Sequence, residues 1–323
     1  MTINTKKTND QQPFMIDGNP VSRVDSYCYL CATISGDSIS KQVVNEIKRK
    51  QLHERKFYSF LTHHKDAPYC VKKAVWRSAM LSAISYSAET WWTTNLGALE
   101  LCYRRIVKQL LGVRLQTNND LVLTESGLPS ARSWVLKRQR SFMNKLRQFH
   151  WYEHTPLKRA LDIAIRANAP MAQYYSTHIA VGGMDPVHKE VAEQRTRIIT
   201  SDATRLAQYR MINPTLSVHT MYHNTVKIPE HQRIVVTRYR LSSHNLMVER
   251  GRWSRIPRNQ RVCPCDRTSI QDEQHVLCMC PKTDHLRQRH NMMYTTVEEL
   301  MKHDTVTLAN FIYEVNEVML LVN

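Results

Sequence analysis

Residues 261–283 read RVCPCDRTSIQDEQHVLCMCPKT, and they set a small, polar, cysteine-rich end apart from a chain that otherwise reads as helices. Cys263, Cys265, His275 and Cys280 form the series C-x-C-x9-H-x4-C. Three thiolates and one imidazole satisfy the closed, four-coordinate tetrahedral preference of structural zinc, so a structural Zn2+ is expected and a metal-bound catalytic water is not. Pro264 fixes its own φ and helps present the two flanking sulfurs from a tight turn. The metal would order a segment that has little apolar core of its own. Cys278, three residues from His275, competes with Cys280 for the fourth position. Two other fates stay open: a Cys-Pro-Cys disulfide, which would be strained, and buried, inert thiols.

The stretch leading into this cluster carries its own signal. Between His231 and Val262 stand Arg233, Arg238, Arg240, Arg250, Arg252, Arg255, Arg258 and Arg261, with no lysine and a single acid, Glu249. A merely solvated face interleaves its signs, whereas this stretch does not. Guanidinium groups also suit forked contacts to phosphate better than ammonium groups do. Arg238, Arg240, Arg250, Arg252, Arg255, Arg258 and Arg261 are therefore the expected phosphate contacts. Trp253, between Arg252 and Arg255, is placed either to stack on an unpaired base or to pack against the metal-held turn.

The whole chain points the same way. Its 323 residues hold 45 Lys+Arg against 28 Asp+Glu, a formal charge of +17, and the pI is near 9.6. That balance favours RNA or DNA as partner over an acidic or neutral one. Mean hydropathy is −0.46 and no run reaches membrane-spanning length, so no membrane segment is expected. The N-terminus, MTINTKKTNDQQPF, lacks the apolar region of a signal peptide, and an intracellular location with reduced cysteines follows as the expectation. The chain has only 8 glycines and no GxGxxG or GxxxxGK[ST]. No nucleophile–His–acid constellation is visible, so neither a small-molecule substrate nor a nucleotide cofactor is expected.

Local patterns give a mainly α fold. Residues 1–20 read as a polar tail. VSRVDSYCYLCATIS (21–35) is rich in β-formers, with Gly36-Asp37 to turn it, and predicts a strand or hairpin within 21–40. Helical segments follow over 41–150. The first has a face through Ile47, Gln51, Glu54, Tyr58 and Leu61, interrupted by polar residues. The second, 71–87, has Val71, Ala74, Val75, Ser78, Ala79 and Ser82 on one side. A third stripe, Leu99, Tyr103, Ile106 and Leu110, stops at Gly112, and a fourth runs through Val135, Gln139, Phe142, Leu146 and Phe149. Such one-sided stripes are what helix packing requires and are expected to be core. Residues 151–236 form a looser helical connector, with helices over Ala160–Asn168 and Val187–Tyr209 broken by GGMDP. The arginine-rich segment and the cysteine cluster occupy 237–290. A C-terminal helix in 291–323 carries Leu308, Phe311, Ile312, Val315, Val318, Met319 and Val322.

Residues 241–289, LSSHNLMVERGRWSRIPRNQRVCPCDRTSIQDEQHVLCMCPKTDHLRQR, resemble the C-terminal region of non-LTR (LINE-type) retrotransposon reverse transcriptases. The resemblance rests on Ser243, His244, Glu249, Gly251, Arg252, Pro257, Arg258, Cys263, Cys265, Asp272, Glu273, His275, Cys280, Pro281 and Arg287, in that order. VDSYCYLCATISGD is similar to the strand that ends that family's palm. EIKRK, ISYSAETW and LELCYRRIVKQLLGV are similar to its thumb helices, and ESGLPSARSWVLKRQRSFMNKLR to the helical segment after them. Cys31 departs from the family by standing where it has glycine. The likeness covers most of 20–290 and is weakest over 156–236.

The resemblance implies a thumb-like helical bundle preceded by a short β-hairpin, with a small C-terminal CCHC zinc knuckle and a terminal helix. It also implies a role in binding template or target RNA or DNA. Polymerases of that family hold two metal ions on paired palm aspartates. No Asp-Asp pair occurs in this chain, so no catalytic residues are assigned and an upstream polymerase domain is the implied partner. Two alternatives stand beside this expectation: a domesticated zinc-containing module that binds protein, and a truncated part of an active RNA-directed DNA polymerase.

Overall fold

The computed structural model describes residues 15–22, 24–30, 32–36, 38–148, 156–179, 185–223 and 225–322. Two short antiparallel ladders open it: β1 Met15–Ile16 with β2 Asn19–Pro20, and β3 Ser26–Tyr29 with β4 Ala32–Ser35. The helices are α1 Ile39–His63, α2 Tyr69–Val75, α3 Ser82–Ile84, α4 Gly97–Leu111, α5 Asn119–Ser126, α6 Ala131–Gln148, α7 Pro156–Arg166, α8 Pro170–Tyr174, α9 Pro186–Thr200, α10 Thr204–Ile212, α11 Glu230–Arg240, α12 Met247–Trp253, α13 Asp284–His290, α14 Val297–Leu300 and α15 Thr305–Val322. The fold is mainly α with an N-terminal hairpin, as the sequence patterns require. Among the described residues no helix is long and apolar enough to cross a membrane.

The hairpin turns earlier than expected. Tyr29 pairs with Ala32, so the reversal lies at Leu30, whose φ is +45°. Gly36 instead closes the open end of the ladder, its N–H donating to Asp25 O at 3.3 Å. Asp37 and Cys31 lie outside the described residues, as do residues 1–14 of the polar tail, Phe149 of the fourth stripe and Gly182 and Gly183 of the GGMDP break. Residues 201–203 split the expected helix Val187–Tyr209 into α9 and α10, a break not foreseen from the sequence.

The chain divides into two compact units. The first comprises 1–54, 80–102 and 131–186; the second comprises 55–79, 103–130 and 187–323. In the first unit α1 buries Val43, Glu46, Ile47, Lys50 and Glu54, so the inward face keeps Ile47 and Glu54 of the expected one but passes through Lys50 in place of the exposed Gln51. Polar residues are tolerated on it because they are partnered. Glu46 accepts the Thr33 N–H at 3.1 Å and pairs with Lys50 at 3.4 Å, and Lys50 Nζ donates to Tyr86 O at 2.8 Å. Burial pushes the Glu46 carboxyl up, but Thr33, Lys50 and Arg49 leave it below its ordinary value. Gln139 on α6 donates to Trp91 O at 2.6 Å, which explains a polar residue in that helix's buried stripe.

In the second unit Phe57, Trp76, Tyr103, Ile106 and Leu110 are buried, with ring centroids 5.4 Å (Phe57–Trp76) and 5.6 Å (Trp76–Tyr103) apart. The stripe expected over 71–87 is corrected here. Val71, Ala74, Ser78, Ala79 and Ser82 face solvent, and Tyr69, Lys72 and Trp76 face inward. A π-helical turn over Trp76–Leu81 shifts the helical phase, which a constant 3.6-residue period does not capture. The stripe on α4 holds: Leu99, Tyr103, Ile106 and Leu110 are all buried. Gly112 ends that helix at φ +73°, and a Cβ there would lie 2.7 Å from the Ile234 side chain. On α15, Leu308, Phe311, Ile312, Val315 and Met319 are buried.

Candidate metal centre and arginine surface

The cysteine cluster is built from a turn and a distorted helix. Val262 bridges Ile270 antiparallel, and the Cys263 N–H donates to Ser269 O at 2.7 Å. Asp266 caps the intervening turn by accepting the N–H groups of Thr268 and Ser269, both at 3.0 Å. The Ser269 hydroxyl and these N–H groups hold its carboxyl well below the usual range. Residues His275–Met279 form a π turn in which the Cys280 N–H donates to His275 O at 2.7 Å. That i→i+5 bond explains the x4 spacing, because it returns Cys280 to the side of the turn that presents His275.

As a result the Sγ atoms of Cys263, Cys265 and Cys280 and a ring nitrogen of His275 all lie within 4.8 Å of one another. Cys263 Sγ and Cys280 Sγ are 3.9 Å apart, and Cys265 Sγ is 3.2 Å from His275 Nε2. Zn–S bonds of about 2.3 Å in a tetrahedron place two sulfurs about 3.8 Å apart, so the donor set fits a tetrahedral ion. All the described cysteines are free thiols, which removes the disulfide alternative. Cys278 stands outside the cluster, with burial pushing its thiol up to about 11. Burial also pushes the thiols of Cys263, Cys265 and Cys280 up. A bound cation reverses that preference outright, since coordination deprotonates a thiol.

Several residues tie the cluster to its surroundings. Arg287, buried on α13, donates to Cys280 O at 2.9 Å and Thr283 Oγ1 at 2.8 Å. Gln271 accepts the Met247 N–H at 2.7 Å on Oε1 and the Val248 N–H at 3.1 Å on its backbone O, which docks the start of α12. Arg261 lies across α12 and donates to Ile256 O and Val248 O at 2.8 and 2.9 Å. Gly251 makes room for it, because a Cβ there would come within 2.7 Å of Arg261 Cγ.

The arginine run therefore separates into two kinds. Arg240, expected at the phosphate-facing surface, is only 3% exposed and leaves that set. Its Nε donates to Glu125 Oε1 at 2.6 Å, and Glu125 also accepts from Tyr209 and Tyr222 at 2.7 and 3.1 Å. Burial raises the Glu125 carboxyl, but Arg240 and Tyr209 together bring it below its ordinary value. Arg233 is buried against Glu230, which also takes Lys72 at 2.9 Å. Arg238 is half-buried and donates to Gly112 O at 2.7 Å. Arg261 is half-buried in the structural role just described.

The remaining members face outward. Arg255 and Arg258 are exposed, Arg250 and Arg252 are half-buried, and Trp253 is 43% exposed. The Arg114 guanidinium lies 3.5 Å above the Trp253 ring and bonds Asn245, while its backbone N–H donates to Ser243 Oγ at 3.0 Å. Burial lowers the Arg114 pKa, and the nearby charges of Arg238, Arg205 and Arg250 lower it further. Glu249 is the acid among them, and it is bonded by Arg205. Arg114 and Arg205 escaped the sequence reading because they lie far along the chain from Trp253, in segments with no local motif.

No family model, curated protein or solved structure matches the chain.

Proposed function

We propose that this chain binds RNA or DNA as the counterpart of the thumb and C-terminal zinc region of a LINE-type reverse transcriptase. In this proposal Cys263, Cys265, His275 and Cys280 hold a structural Zn2+. The observation that carries it is that Arg205, Arg238 and Arg250, from three other segments, all act on Arg114, whose guanidinium stacks on the exposed Trp253. Cations gathered around a single acid repel one another, and a polyanion relieves that repulsion.

The parts then have distinct tasks. The metal fixes the Arg261–Thr283 turn, Gln271 and Arg261 hold α12 against it, and α12 presents Arg250, Arg252 and Trp253. Arg250, Arg255 and Arg258 contact phosphates without reading sequence. Trp253, stiffened from one side by Arg114, stacks an unpaired base of a single strand.

Anisotropy of fluorescently labelled single-stranded RNA and DNA homopolymers titrated with the chain tests this. Trp253→Ala is expected to weaken single-strand binding by about tenfold, the effect of losing one stacked base. Trp253→Phe is expected to retain part of that loss, and duplex affinity to change less. Equal weakening of duplex and single-strand binding, or no weakening at all, rejects the stacking role.

A further inference from the structure

A cavity of about 230 Å3 in the second unit belongs neither to the metal ligands nor to the outward arginines. Met211, Ile212, Val297 and Met301 give it apolar walls, and Tyr239 and Glu273 line it as well. Glu273 is 7% exposed and Tyr239 3% exposed. Glu273 Oε1 is held by His244 Nε2 at 2.7 Å and by the Ser242 hydroxyl at 3.3 Å. Glu273 Oε2 and the Tyr239 hydroxyl are both buried and have no hydrogen-bond partner. A buried polar atom left bare is costly, and two of them on residues that line one cavity define what would satisfy them. The carboxylate needs a donor, and a phenol either donates or accepts.

The charge of the lining narrows the choice. Of the charged residues in the lining, Glu298 pairs with Lys302 at 2.8 Å and Arg240 with Glu125, which leaves Glu273, whose Oε2 is bare. We propose that this cavity binds an organic primary ammonium, whose N–H groups bond Glu273 Oε2 and the Tyr239 hydroxyl while its apolar chain lies among Met211, Ile212, Val297 and Met301. At about 30 Å3 per water in the liquid, the cavity admits roughly eight non-hydrogen atoms, the size range of butyl- to 2-phenylethylammonium. A lysine side chain of another chain carries the same group. The site is independent of nucleic-acid binding. It was invisible in the sequence because its lining is drawn from residues 208–212, 239–242, 273–274 and 296–301, with no motif joining them.

Calorimetric titration of the metal-loaded full chain with 2-phenylethylammonium, with neutral 2-phenylethanol and with Nα-acetyl-lysine methylamide tests the assignment. The expected result is saturable binding of the ammonium, about tenfold tighter than the alcohol, the worth of a charge-assisted bond. Glu273→Gln is expected to remove that advantage and Tyr239→Phe to weaken binding about threefold. Should Glu273→Gln fail to fold, Met301→Trp, which fills the cavity, carries the test by abolishing binding. Binding of the lysine derivative as tight as that of the free amine assigns the site to a lysine side chain, and binding of the free amine alone assigns it to a small molecule. No saturable binding of either amine, equal affinity for the alcohol, or unchanged affinity in Met301→Trp overturns the proposal. Arg250→Ala with Arg255→Ala is expected to leave amine binding intact, so this site and nucleic-acid binding fail separately.

Discussion

Arg240 and Arg250 stand ten positions apart in one arginine-rich stretch and end in opposite environments. Arg240 is sealed against Glu125 with two tyrosine hydroxyls closing the shell, whereas Arg250 is half-exposed near Arg114. The difference lies in the acids. Glu125 and Glu230 are buried and claim Arg240, Arg233 and Lys72, while the outward group is faced by Glu249, shared between Arg205 and Arg252, and by Asp272, 4.0 Å from Arg258. A run of like residues therefore has no single role. Its members are sorted by which of them the fold buries against an acid or a backbone carbonyl, and the more exposed remainder carries the net field.

The largest effect should come from the element that organises both sets. Cys263→Ser with His275→Ala is expected to lower bound metal from about one equivalent to background, on the scale of the roughly 10 kcal/mol with which structural zinc folds isolated modules. Elemental analysis reads the metal, and amide exchange at Cys263 and Cys280 reads the turn. Metal retained in that double variant would remove the assigned ligands. Next, Arg240→Leu strands the Glu125 charge and is expected to cost about 3–5 kcal/mol in urea unfolding. Arg250→Leu should stay within about 0.5 kcal/mol, as surface changes do. Equal costs would erase the distinction between the two arginines.

A pH effect follows from the same buried network. Burial, reinforced by Arg240, pushes the His219 pKa down to about 4. As pH falls from 6.5 towards 4, the unfolded chain takes up a proton that the folded chain refuses, so stability decreases. The loss is up to about 3 kcal/mol for this group and is absent above pH 6.5. His219 accepts the Met221 N–H at 3.1 Å. His219→Asn keeps an acceptor there and should remove that part of the acid sensitivity. A variant that loses as much stability as the parent between pH 6.5 and 4 speaks against it. A smaller loss is expected of Gly251→Ala, which displaces Arg261 from Ile256 and Val248 and should cost about 1–2 kcal/mol. It should also loosen nucleic-acid affinity by disturbing α12, and a variant as stable as the parent would show that the close approach is not needed.

Much of this was legible in the sequence wherever a local pattern sufficed. The α4 stripe, the terminal helix and the C-x-C-x9-H-x4-C ligands are short-range signals, and each is found where its spacing placed it. The α1 face was misplaced in part and the 71–87 face largely, for two physical reasons. Glu46, Lys50 and Lys72 are buried polar residues whose partners are provided by the fold, and a π turn at Trp76–Leu81 breaks the period beyond it. The π turn at His275 is equally silent in the sequence, yet it decides for Cys280 over Cys278. Arg240's partner lies 115 residues away, so no window along the chain could have separated it from Arg250.

The central claim is that the outward arginines, and not the buried ones, make the phosphate contacts. Its most direct test is the salt dependence of single-stranded RNA affinity in the metal-loaded chain, compared with Arg250→Ala/Arg255→Ala/Arg258→Ala. The account predicts a steep fall of log K with log salt, and a slope shallower by about two in the triple variant, at about 0.7 per phosphate contact. A slope and affinity unchanged by the triple substitution would contradict it.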